Sequence, residues 1–188
     1  MEYLAEKLTQ YIISKGTISK EDYGVYKYGL QTGMEMIFCM AISSLIAIHL
    51  KSFKEFLFFV IIFFLLRSYF GGIHMKHFLS CLICSCTVIT CVLMFIKKFV
   101  FANWISLVLI ILLLAGSYIL TYFIMKKQST DKDEFCFLRK QQKKILIGVG
   151  IVALCFFIFH VSLFETLLMI TILVVFGSLV LEGIMEHR

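Results

Sequence analysis

Between Arg67 and Cys84 the chain reads RSYFGGIHMKHFLSCLIC, two histidines and two cysteines just beyond a pair of glycines. A thiol at neutral pH is mostly protonated and a modest nucleophile. An imidazole within hydrogen-bond reach accepts its proton, and the thiolate attacks carbonyl carbon readily. Cysteine and histidine side by side therefore point to acyl transfer or peptide cleavage. The same four side chains also form a candidate zinc set, and the glycines alone are compatible with a simple turn.

Spacing leaves several pairings open. His74 and Cys81 stand seven positions apart, as do His77 and Cys84, whereas His77 and Cys81 stand four apart. On one straight helix seven residues rise about 10.5 Å, and proton transfer needs about 3 Å. Residues four apart share a helix face, so spacing alone favours His77 with Cys81. A His74–Cys81 pair requires the backbone to bend between them. Gly71 and Gly72 suit that task, because glycine accepts positive φ and close backbone approach. The zinc reading, with His74, His77, Cys81 and Cys84 as ligands, stretches over about 15 Å of helix. A tetrahedral ion holds every donor within about 2.3 Å. The apolar run from Phe78 argues for helix, and zinc ranks below a dyad.

The elements that must position these residues are membrane-spanning. Hydrophobic residues make up 61% of the 188-residue chain and charged residues only 16%, against about a quarter charged in soluble domains. The charges cluster and leave apolar windows near the 20 residues that cross a hydrocarbon core. Six spans are expected, at 33–50, 55–70, 78–96, 99–125, 145–163 and 166–184, in one all-α domain covering residues 1–188. The second is short and contains Arg67. A polar connection is expected over 126–144. Ahead of the first span, Leu4, Leu8, Tyr11 and Ile12 mark one face of an amphipathic helix, suited to the membrane surface or to the bundle. The N-terminus has no secretory signal pattern.

Fourteen Lys and Arg residues fall on one side of these spans and four on the other. By the positive-inside rule the basic side is cytoplasmic. It holds both termini and the Gly71–Cys81 cluster. The net charge of +6 thus serves orientation and anionic-lipid contact rather than nucleic-acid binding. Seven cysteines, with Cys39, Cys86, Cys91 and Cys155 inside apolar runs, form no secreted disulfide framework.

The pattern R-x4-G-x-H-x6-C, here Arg67, Gly72, His74 and Cys81, resembles the AgrB family of membrane peptidases in Gram-positive quorum sensing. Gly29-Leu30-Gln31 resembles a Gly-x-Gln found just before that family's first span. Length, charge layout and the basic segment before the last two spans agree with it. The chain departs from the family in having no proline in that basic segment. The resemblance selects His74 and Cys81 as the catalytic pair, because the glycine two positions before the histidine sets the register. It implies cleavage of the C-terminal tail of a peptide precursor through a thioester acyl-enzyme. A cysteine of the retained peptide then closes a thiolactone. It implies Arg67 as a clamp for an acidic tail, against the alternative of an interface anchor. Gln31, Gly71 and Gly72 are expected to support the site. The implied partner is a precursor with an amphipathic leader and an acidic tail, in contact with membrane lipid. No cofactor or metal is called for, and no acid or amide stands out to orient the imidazole. A bundle this small is compatible with a homodimer, although no motif establishes one. The rival readings are a non-enzymatic export subunit, a His/Cys metalloprotein, and a thiol peptidase that hydrolyses its product without cyclising it.

Overall fold

The computed structural model describes residues 2–14, 22–71, 78–128 and 132–186. They form seven helices: α1 (Glu2–Ser14), α2 (Tyr23–His49), α3 (Phe53–Phe70), α4 (Phe78–Lys98), α5 (Asn103–Gln128), α6 (Lys132–Ile158) and α7 (Ser162–Glu186). No strand occurs among the described residues. The expected all-α membrane bundle with an additional N-terminal helix is what the chain forms.

Five helices, α2 and α4 to α7, are long and apolar enough to cross a membrane. The remaining expected span, the second in chain order, is α3, which has 18 residues and carries Lys54, Glu55 and Arg67. It is the short element anticipated near 55–70, yet it lies deep in the protein: Phe56, Phe59, Val60, Ile62, Leu66 and Phe70 are buried. Its 18 residues rise about 27 Å, close to the thickness of a hydrocarbon core. Helix pairs not adjacent in sequence, α5 with α7, α3 with α7 and α2 with α4, are major packing partners.

The core centres on α7. Leu167, Leu168, Ile172 and Leu179 are fully buried among residues such as Phe59, Leu66, Ile110 and Val149. In lipid no hydrophobic force drives helices together, so close packing and hydrogen bonding must. Gly116 supplies closeness: a β-carbon there would stand 3.1 Å from the Phe176 ring. Buried hydroxyls bond back to the preceding turn of their own helix, Thr121 Oγ1 to the Ser117 carbonyl at 2.6 Å and Thr171 Oγ1 to the Leu167 carbonyl at 2.7 Å. Outward positions such as Ile37, Leu45, Ile61, Ile111 and Leu181 are exposed and apolar, as a lipid-facing surface requires.

Three boundaries differ from the sequence expectation. The first long helix begins at Tyr23 rather than near residue 33, so Gly29, Gln31 and Glu35 are helical. The segment 126–144 is largely helix and not a polar connection: α5 runs to Gln128 and α6 starts at Lys132. Neither proline nor glycine occurs between Ser117 and Ile147, so α5 runs on through Lys126 and Lys127 and α6 already holds Arg139, Lys140, Lys143 and Lys144. The fifth span ends at Ile158, where His160 takes φ 53°. The Val161 amide donates to the Phe156 carbonyl at 3.0 Å, the 6→1 bond of a Schellman turn. Lys51, at φ 53°, ends α2 the same way, with Ser52 N donating to Ala47 O at 2.9 Å.

The N-terminal helix docks on α2 through Ala5 and Thr9, both fully buried, and through Glu6, which accepts from the Tyr23 hydroxyl at 3.5 Å and pairs with Lys27 at 3.8 Å. The apolar face holding Leu4, Leu8 and Tyr11 stays exposed. The helix thus packs on its neighbour, one of the two arrangements anticipated, though through a face other than the one that holds Leu4, Leu8 and Tyr11.

Candidate active site

The end of α3 and the start of α4 bring the sequence cluster to one end of the bundle. Arg67 lies in the last turn of α3, half-buried, with its guanidinium 5.6 Å from the Phe63 ring centroid. Gly71 closes the helix. Its amide donates to the Arg67 carbonyl at 3.1 Å, and its backbone takes φ 88° and ψ −156°. That region is essentially restricted to glycine, which accounts for the residue type at this exit. Gly72 and His74 lie outside the described residues, as do Lys76 and His77.

The chain is described again from Phe78, and Cys81 sits one turn into α4 with its side chain exposed. Cys84, three residues on, is also exposed. The zinc alternative needs His74 and His77 in addition; among the described residues no group of three or more potential ligands converges.

Packing of α2 on α4 joins the two sequence segments that carry the resemblance. Cys39 of α2 lies within electrostatic range of Cys81, Cys86 and Glu35, and the Ser43 hydroxyl approaches the Cys86 sulfur at 3.9 Å. Gln31, two turns before Cys39, donates through Nε2 to Glu35 Oε1 at 3.1 Å. Gln31 and Glu35 thus stand on the same face of α2 as Cys39, two turns and one turn toward its N-terminus, with the Gln31 amide engaged by its own helix.

Two supports of this region were not singled out in the sequence. Gln142 of α6 is fully buried, and its Nε2 donates to the Tyr69 carbonyl at 2.7 Å. Tyr69 is in the last turn of α3, where backbone carbonyls have no intrahelical donor. The Gln142 Oε1 accepts from Arg139 Nη1 at 3.2 Å, and the same nitrogen donates to the Tyr118 carbonyl at 3.0 Å. The guanidinium stacks 3.7 Å from the Tyr118 ring centroid and 5.1 Å from that of Tyr122. Arg139 is therefore a strut between α5, α6 and the end of α3, although in sequence it is one of seven bases in a run. The signal for Gln142 was an uncharged amide amid lysines, a weak one. The second support is Glu182 of α7. A β-carbon placed on Gly71 would stand 3.5 Å from its Oε2 and 3.9 Å from its Oε1. Its sequence signal was an acid near the end of an apolar run.

No curated protein and no solved structure matches the chain. The family model of AgrB, accessory gene regulator B, matches residues 5–185, nearly the whole chain. The exposed thiol, the glycine exit from α3 and the six-helix membrane framework thus come with a family assignment that covers every element described: this chain belongs to the AgrB family.

Proposed function

We propose that this member of the peptide-processing AgrB family is a cysteine endopeptidase that cleaves and cyclises a quorum-sensing peptide precursor. The observation that carries the reading is Cys81, an exposed thiol one turn into α4, joined to the glycine exit of α3 by a six-residue link containing His74. In the proposed reaction His74 takes the proton of the Cys81 thiol. The thiolate adds to a carbonyl near the precursor's C-terminus. Collapse of the tetrahedral adduct expels the amine of the tail, which receives the proton from His74. A thioester to Cys81 remains. A cysteine thiol within the retained peptide attacks that thioester, forms the thiolactone and returns the Cys81 thiol. Exchange of one thioester for another is nearly balanced in energy, so the competing reaction is hydrolysis.

Arg67 serves in this reading as the cation for an acidic tail, at the inner end of α3. The positive-inside bias supports placing both termini and the Cys81 end in the cytoplasm, and α1, with its exposed Leu4, Leu8 and Tyr11, suits the inner membrane surface.

The test uses the full chain in lipid vesicles with its precursor and follows product mass. Cys81→Ala and His74→Ala abolish cleavage while the protein still inserts. His77→Ala and Cys84→Ala keep most activity. Equal loss from the second pair refutes the His74–Cys81 register, and a Cys81→Ala chain that still releases the tail refutes the nucleophile.

A further inference from the structure

We propose that Glu165 and Ser106 form a binding site for a small monovalent cation, sodium, at the end of the bundle away from the peptidase site. Glu165 lies about 25 Å along α7 from Glu182, the residue beside Gly71.

Two polar side chains at this end are orphaned. Glu165 is fully buried, and neither of its carboxylate oxygens has a hydrogen-bond partner among the described residues. Ser106 is fully buried as well, and its Oγ likewise has none. Ser117 shares the buried stripe of α5 with Ser106 and Ile110, and it bonds back to the Leu113 carbonyl at 2.7 Å. Ser106 does not follow that habit.

Packing brings the two to one level. Contacts between α5 and α7 advance together along both helices: the Phe101 amide, just before α5, donates to Thr166 Oγ1 at 3.2 Å; Gly116 faces the Phe176 ring; Gly183 faces the Ile124 side chain. The offset that pairs Gly116 with Phe176 and Ile124 with Gly183 sets Ser106 level with Glu165 and Thr166. Of the partners of α5, α7 is the main one.

The chemistry of these atoms selects the ligand. All three orphaned atoms are oxygens, the donors that hard cations take. Glu165 stands in the first turn of α7, where the helix dipole favours negative charge. A buried carboxylate needs a counter-charge, and intramembrane acids of this kind mark functional sites by default. One positive charge cancels one carboxylate, whereas a divalent ion leaves a buried surplus. A proton also cancels it but brings one hydrogen to three oxygens; an ion draws on all three. Side-chain cations near this end are directed elsewhere. Lys97 donates to the Leu50 carbonyl, Lys54 and Lys98 are exposed, and His160, within electrostatic range, is exposed and makes no hydrogen bond to the carboxylate.

The experiment follows reversible unfolding of the full chain in mixed micelles while sodium chloride replaces choline chloride at constant ionic strength. Sodium at 100 times its half-saturating concentration shifts the folding equilibrium of the parent about 100-fold. In choline alone, Glu165→Gln is at least as stable as the parent, and sodium does not shift it. Ser106→Ala raises the half-saturating sodium concentration by about tenfold or more, since even a partner one shell from an ion carries that much. Cys81→Ala keeps the full sodium response, which separates this site from the peptidase reading. An equal sodium response in the parent and Glu165→Gln is a general salt effect and overturns the proposal, as does a larger response to calcium than to sodium. The second readout is labelling of Glu165 by an apolar carbodiimide, located by peptide mass, which sodium slows in the parent. If Glu165→Gln does not insert, this readout and Ser106→Ala decide. Labelling that sodium leaves unchanged means that the carboxyl holds only a proton, and it overturns the site.

Discussion

Replacing Gln142 with leucine tests the support beneath the site with little change of volume. The amide is fully buried, gives its Nε2 hydrogen to the Tyr69 carbonyl at 2.7 Å and takes one from Arg139 at 3.2 Å. Leucine strands the Tyr69 carbonyl inside the protein, at a cost of about 1–3 kcal/mol. Arg139 keeps its bond to Tyr118 and its stack on that ring. The second loss is accordingly small, near the ~0.6 kcal/mol average for hydrogen bonds between membrane helices. The expected destabilisation is about 1.5–3.5 kcal/mol, or roughly a 10- to 300-fold shift in the unfolding equilibrium at 1.4 kcal/mol per decade. Reversible unfolding in mixed micelles, followed by circular dichroism at constant lipid-to-detergent ratio, reads this directly. An Arg139→Met companion completes a double-mutant cycle, in which the two changes are less than additive because they share a bond. A destabilisation below 0.5 kcal/mol refutes the reasoning, since it requires another donor to satisfy the end of α3.

Gly71→Ala forces a β-carbon into φ 88°, ψ −156°; strain of about 1–3 kcal/mol lowers stability in the same assay, and an unchanged midpoint denies that this backbone conformation is populated. Glu165→Gln is neutral or stabilising, because this fully buried carboxylate has no hydrogen-bond partner among the described residues and an uncharged amide is cheaper to bury; destabilisation above 1 kcal/mol in the same assay reveals a cation or donor serving it. Arg67→Ala reduces precursor processing more than membrane insertion, measured as turnover per inserted molecule; normal turnover returns Arg67 to an anchoring role.

Composition and periodicity were enough for the class of fold. Apolar windows of about 20 residues have few outcomes other than helices in a membrane, and the resemblance around Arg67, Gly72, His74 and Cys81 already pointed to the family that the whole-chain match establishes. Helix ends were less legible. Basic residues at 126–144 look like a solvated connection when charge alone is counted, but charge does not break a helix, and no glycine or proline does so there. The early start of α2 does not follow from that rule, since Gly24, Gly29 and Gly33 all lie within the helix.

The partners of the cluster were beyond the sequence for a different reason. Tyr69 and Gln142 are 73 positions apart and Gly71 and Glu182 are 111 apart, and neither pairing follows from any local pattern. They arise because α3 packs against both α6 and α7, a choice set by how side chains along whole helices interlock. Local chemistry, the thiol and the reason for glycine at the bend, was written in the order of residues. Which amide caps the end of α3, and which carboxylate stands beside its exit, was decided only when the helices packed, since a buried polar group takes whichever partner three-dimensional contact delivers.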